Sequence, residues 1–174
     1  GIISEGIMKT ILGILLLCAA GVSAFGQGTV NLNNNFVPTG GITKAFIAVN
    51  GIPMAKALGS VDILDSAGAV IKSGSLATDG IFAFGVLEIP NAPIGGAGSI
   101  TIRAWDNSTG STYDTAIVRD SVVVTLTGLG GGATPPPSLG AASNFVGINF
   151  IPEPSTYTLA VVGLAGLCFV ARRR

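Results

Sequence analysis

The 174-residue chain contains no histidine. Without imidazole, Ser-His-Asp and Cys-His catalysis and His-ligated metal sites are excluded. Cysteine is nearly as scarce: Cys18 and Cys168 both lie inside the terminal apolar runs. The stretch between those runs therefore has no disulfide framework, no thiolate nucleophile and no Cys-based metal site. Charge is thin too, at 10% of residues against about 25% in typical soluble domains. Between Phe25 and Ile151, seven acids (Asp62, Asp65, Asp79, Glu88, Asp106, Asp114, Asp120) stand against five bases (Lys44, Lys56, Lys72, Arg103, Arg119), a net of −2. No basic stripe is present to neutralise phosphates, which argues against nucleic acid as a partner.

What the chain does have is apolar residues (48%, mean hydropathy +0.67) and 26 glycines. A membrane protein, or a low-charge exported domain with apolar ends, would each show this composition. The distribution favours the second. The longest apolar stretches, Ile11 to Val22 and Tyr157 to Ala171, lie near the two ends, and between them apolar residues alternate or come in short runs.

Met8-Lys9-Thr10, then the apolar run from Ile11 to Val22, has the order of a signal peptide: positive start, short apolar core, small-residue exit. Val22-Ser23-Ala24 fits small-x-small cleavage, which places the cut between Ala24 and Phe25. So short a core favours a cleaved signal over a permanent helix. Met8 is expected to be the true start, so residues 1–24 read as the signal segment. A lipoprotein reading on Cys18 asks for a small residue before it, and Leu17 is not small.

Near the other end, Pro152-Glu153-Pro154-Ser155 leads into the uncharged run Tyr157 to Ala171, and Arg172-Arg173-Arg174 follows it. Two prolines around Glu153 cannot continue a strand ladder and bias the backbone towards an extended form that a processing enzyme can grip. The run reads as a transmembrane helix over 157–171. At ~1.5 Å per residue it covers roughly 22 Å of a ~30 Å core, so local thinning or snorkelling arginines must make up the rest. The arginines form a cytoplasmic stop, which puts everything before Pro152 outside. A core helix does not fit a run that three arginines close; a plain C-terminal anchor is the alternative.

These residues resemble the PEP-CTERM sorting signals: a Pro-Glu-Pro signature with Ser or Thr after it, an apolar helix and an Arg cluster. The resemblance covers about the last 23 residues and implies export, transient anchoring by the helix, and exosortase as the partner that cleaves near the signature. It also implies delivery to the cell surface or extracellular matrix, often beside exopolysaccharide. The chain would be the substrate and would supply no catalytic residue. Gly26 to Asn34 and Ile102 to Asp106 are similar to recurring pieces of PEP-CTERM ectodomains from Verrucomicrobia, which implies no defined activity.

Residues 25–150 read as strands divided by turns: 29–32, 45–49, 60–64, 69–72, 81–89, 99–105, 116–127 and 145–150. Asn33-Asn34-Asn35, Asn50-Gly51, Asp65-Ser66-Ala67-Gly68, Asp79-Gly80 and Asp106-Asn107-Ser108-Thr109-Gly110 punctuate them as turn formers. The pattern predicts an all-β fold, an antiparallel β-sandwich of immunoglobulin-like or jelly-roll type, flanked by the signal helix and the transmembrane helix. Gly128 to Gly140 reads as a structureless loop. Phe36, Phe46, Phe82, Phe84, Trp105, Phe145 and Phe150 are expected to supply much of the core.

Candidate chemistry is sparse. Paired carboxylates for glycoside hydrolysis would have to come from Glu88, Asp106, Asp114 and Asp120, and Glu88 reads more simply as a solubilising charge on a strand ending at Ile89-Pro90. Asp106 and Asn107, with Asp114 nearby, offer oxygen ligands for calcium, but they lack EF-hand spacing and a hydrogen-bonded turn explains them equally well. Trp105 and Tyr113 could stack on sugar rings. Trp105 shares a face with Arg103 by alternation, and an exposed aromatic platform would mark a sugar site, whereas burial of Trp105 would mark packing. The expected function is an exported, non-enzymatic surface or matrix protein with no cofactor and no metal. A carbohydrate-binding or adhesive module is the alternative, and a glycoside hydrolase a distant third.

Overall fold

A computed structural model describes residues 26–41 and 43–151. The signal segment, the sorting motif, the transmembrane run and the arginine cluster lie outside the described residues.

The described chain is mostly strand, in sheets that are antiparallel with one exception. In order it forms β1 (Gln27–Asn33), β2 (Ile47–Val49), β3 (Ile52–Pro53), β4 (Gly59–Leu64), β5 (Val70–Ser75), β6 (Ala83–Pro93), β7 (Gly98–Asp106) and β8 (Arg119–Leu126). A single helical turn, α1 (Leu139–Ala142), precedes β9 (Ile148–Phe150). No helix among the described residues is long and apolar enough to cross a membrane.

Three sheets result: β1 with β6, β3-β2-β9, and β5-β4-β7-β8. The period-2 pattern explains the largest. Val61 and Ile63 of β4 lie opposite Ala104 and Ile102 of β7, and Ile102 lies opposite Val122 of β8. Alternation sends these residues to one face, where they join one hydrophobic cluster with Val30, Leu32, Ile47, Phe82, Ile89, Leu126, Leu139 and Phe150. That cluster draws on all three sheets, so the sheets share one core. Each fully buried large side chain in it adds about 1.5–3 kcal/mol.

Turn chemistry closes the hairpins as the sequence predicts. Asn50 (φ 51°) and Gly51 (φ 79°) take the left-handed conformation between β2 and β3, the geometry of a two-residue Asn-Gly hairpin. Asp65 accepts from the amides of Ala67 and Ala69, which folds the β4–β5 turn onto one carboxylate.

Several expectations are corrected. The 145–150 strand contracts to Ile148–Phe150 and pairs in parallel with β2, the exception to antiparallel order. The strand predicted to end at Ile89-Pro90 continues to Pro93; β1 pairs with it on one side through Ile89 and again at Pro93, across a register shift. The 128–140 segment is not structureless. It lies along the other edge of β1, where Thr29 and Gly130 exchange backbone hydrogen bonds at 2.9 Å and the Asn31 amide donates to the Pro137 carbonyl at 2.8 Å. Proline carbonyls still accept, so a Pro-rich segment can cover an edge without forming a regular strand. Ser138 then caps α1, its hydroxyl accepting from the Ala141 amide.

The aromatic core divides. Phe82, Phe145 and Phe150 are buried in it, while Phe36 and Phe84 pack against it half-exposed. Phe46 is only half-buried, and Trp105 is buried but elsewhere.

Candidate functional site and sorting segment

The alternation that sends Ala104 inward sends Trp105 and Arg103 to the opposite face of the four-stranded sheet. Across that face, Trp105 lies between Ser60 and Arg119, and Arg103 between Asp62 and Ser121. Trp105 is nevertheless only 6% exposed, because the segment from Asn107 to Val118 folds over it. The expectation that Trp105 plugs the core is corrected: it anchors a second, smaller packed layer behind the sheet.

The chain after β7 is built to turn back. Asp106 accepts from the amide and hydroxyl of Ser108 through one carboxylate oxygen, at 2.8 and 2.6 Å. The Thr109 hydroxyl donates to the Asp106 carbonyl and accepts from the Val118 amide, pinning both ends of the loop. Gly110 lets the strands of the loop touch: a Cβ there would stand 2.4 Å from the Ala116 backbone.

This places Tyr113 edge-on to Trp105, with ring centroids 6.3 Å apart at 84°. The Arg103 guanidinium lies 4.8 Å and the Arg119 guanidinium 5.3 Å from the Tyr113 ring centre. Arg119 also donates to the Tyr113 carbonyl at 2.7 Å. Arg103 is held from the sheet side by Asp62, at 3.0 and 3.2 Å, and Asp62 accepts in turn from the Ser73 hydroxyl. This is the one ion pair among the described residues. The indole N–H of Trp105 is buried with no acceptor among the described residues, a cost of about 1–3 kcal/mol that the aromatic and cation–π packing offsets.

The two aromatic residues singled out for sugar stacking are thus brought together, but the indole is covered. Of the calcium candidates, Asp106 uses a carboxylate oxygen to shape the turn, and Asn107 donates to the Ser60 hydroxyl at 2.8 Å. Asp114 is exposed on the loop beside Tyr113. Among the described residues, no group of three or more acidic or cysteine side chains is placed to hold a metal ion. Glu88 is exposed on β6 opposite Thr29, and Asp120 lies on β8 opposite Ala104. Sequence reasoning missed the Asp62–Arg103 pair, whose partners are far apart along the chain and meet only through the β4–β7 register.

Two clefts flank the last strand. One of about 480 Å³ is lined by Phe46, Ala48, Pro53 and Val146 to Asn149; one of about 260 Å³ lies between Phe36 and Phe145. Val146 borders both. β9 itself is tied to the β2–β3 turn, since Asn149 accepts from the Gly51 amide at 2.8 Å and Phe150 from the Asn50 amide at 2.9 Å. The chain leaves the folded core immediately afterwards, with Phe150 3% and Ile151 75% exposed.

A β-rich unit whose final strand opens directly into a Pro-Glu-Pro segment, an apolar run and an arginine cluster defines a class: an exported domain with a C-terminal sorting tail. Residues 150–174 match the PEP-CTERM protein-sorting motif. No curated protein and no solved structure matches the chain. The motif implies export, anchoring in the membrane before processing, and exosortase as the processing partner.

Proposed function

We propose that the chain is a non-enzymatic cell-surface or extracellular-matrix protein, delivered by exosortase processing of its tail and associated there with exopolysaccharide. The observation that carries this reading is the sorting motif at residues 150–174, which starts at the last residue of β9. No spacer separates the folded unit from the signature, so cleavage near Pro152-Glu153-Pro154 frees the domain with its final strand intact. Burial of Trp105 supports display over small-ligand chemistry, because an indole at 6% exposure offers no platform to a sugar ring. The sparse charge and the Ser-, Thr- and Asn-rich surface suit a hydrated matrix. The predicted sandwich type and the signal peptide ending at Ala24 belong to the same reading.

Replacement of Pro152, Glu153 and Pro154 by alanine, in a host that makes exosortase, tests it. The substituted protein stays in the membrane fraction while the natural one reaches the surface or medium. Equal release of both would remove the sorting role from the signature.

A further inference from the structure

Four of the sheet edges carry features that discourage pairing with another chain. β5 contains a register shift and Lys72, β3 is two residues ending in Pro53, β9 is three residues, and the open side of β1 is covered by residues 130–138. β8 is different. Arg119 to Leu126 pairs with β7 over eight residues without a bulge. Only its end is covered, where the Thr127 amide donates to the Ala142 carbonyl at 2.8 Å.

The direction of the open groups follows from two bonds. The Ser121 amide turns away from β7, since it donates to the Asp120 carboxylate at 2.7 Å, and the Thr127 amide turns away likewise. In an antiparallel ladder both backbone groups of alternate residues point the same way. The N–H and C=O of Val123 and Thr125, and the C=O of Ser121, therefore face outward, and all three residues are exposed.

The sequence of that edge, Ser121-Val122-Val123-Val124-Thr125, reads nearly the same in both directions. The geometry points to a second copy of this chain as the partner, with β8 pairing antiparallel to β8 about a two-fold axis at Val123. Val123 then faces its own copy and Ser121 faces Thr125, pairs that exchange both N–H···O=C bonds. Hydroxyl meets hydroxyl, valine meets valine, and no like charges stand opposite each other. On the inner face Val122 meets Val124, so the apolar surface runs on from one copy into the next. The Asp120 carboxylate, which occupies the Ser121 amide in the single chain, is displaced by the Thr125 carbonyl. This inference is independent of how the tail is processed.

Facing residues in such a pair lie about 5.5 Å apart at Cα, inside the disulfide range of about 4.4–6.8 Å. The test uses the full chain with Cys18→Ser and Cys168→Ser, adding either Val123→Cys or, as control on the β5 edge, Val70→Cys. Under mild oxidation the Val123→Cys protein should shift to a dimer band that reductant abolishes, and the Val70→Cys protein should not. Separately, exchange of the Val123 and Thr125 amides should slow with rising concentration in the natural chain and not in Val123→Lys. Native tryptophan emission certifies folding of each variant. A folded Val123→Cys protein that stays monomeric, equal crosslinking at Val70, or exchange independent of concentration would overturn the proposal.

Discussion

Asn34 and Phe82 are bonded twice: the Phe82 amide donates to the Asn34 side-chain oxygen at 2.7 Å, and the Asn34 amide donates to the Phe82 carbonyl at 3.4 Å. The Asn34 carboxamide nitrogen also donates to Ala45 and Gly80, at 2.7 and 2.9 Å. One fully buried side chain thus joins the end of β1 to the entries of β2 and β6. Buried polar groups are tolerated when every partner is satisfied, and this one is.

Asn34→Leu should therefore destabilise the fold although it adds apolar volume. It strands a buried amide and two carbonyls, at a combined cost of about 2–5 kcal/mol. The shift in denaturation midpoint, followed by the emission of Trp105, measures it. A change below about 0.5 kcal/mol, the scale of ordinary surface substitutions, would show that water replaces the carboxamide.

Asp62 and Arg103 carry 10% and 22% side-chain exposure, so neither charge is freely solvated. Removing either alone should cost more than removing both, because the single variant leaves a partly buried charge unpaired. Asp62→Ala and Arg103→Ala are each expected to lose about 1–3 kcal/mol, with a coupling near 1 kcal/mol in the double variant. A fully additive double variant would mean the pair does not interact in solution. Arg103→Lys should not restore the natural value, since lysine keeps the charge but loses the two-point contact to the carboxylate and the planar contact with Tyr113.

Trp105 is the sole tryptophan, so its emission reports the layer behind the sheet without interference. Tyr113→Ala should move that emission towards the red and cost about 1–2 kcal/mol as the indole meets water. Gly110→Ala should do the same without touching either ring, because its Cβ forces the loop off Ala116. The natural protein should keep its emission unchanged on addition of oligosaccharides; quenching or a shift on addition would place a sugar on the indole and favour the adhesive-module reading.

Most of the strands were legible because both of their signals are local. Alternation in Val61 to Leu64 and Ser99 to Trp105, with Gly and Asn or Asp between strands, specifies faces and turns within a few residues. What was hidden depended on distant partners. Asn34 sits in a run of three asparagines that reads as a turn, and only Asn33 plays that part, accepting from the Asn35 amide. Trp105 was expected in the core, and nothing before β7 announces that the loop after it supplies a cover. Ala116 to Val118 looks like the start of a strand, yet it packs into that cover, and β8 begins at Arg119. The parallel pairing of β9 with β2 joins segments about 100 residues apart, a relationship that periodicity does not encode. The sorting signature, by contrast, is a linear motif, readable without any fold.

The central claim is that the tail is a sorting signal removed by exosortase, and intact mass with fractionation tests it most directly, in a host that makes exosortase and in one that lacks it. The account predicts a mature chain starting at Phe25 in both hosts, and loss of the apolar run and Arg172 to Arg174 only where exosortase is present, with release from the membrane fraction. Retention of the tail through Arg174 in both hosts would contradict it and leave a plainly anchored membrane protein.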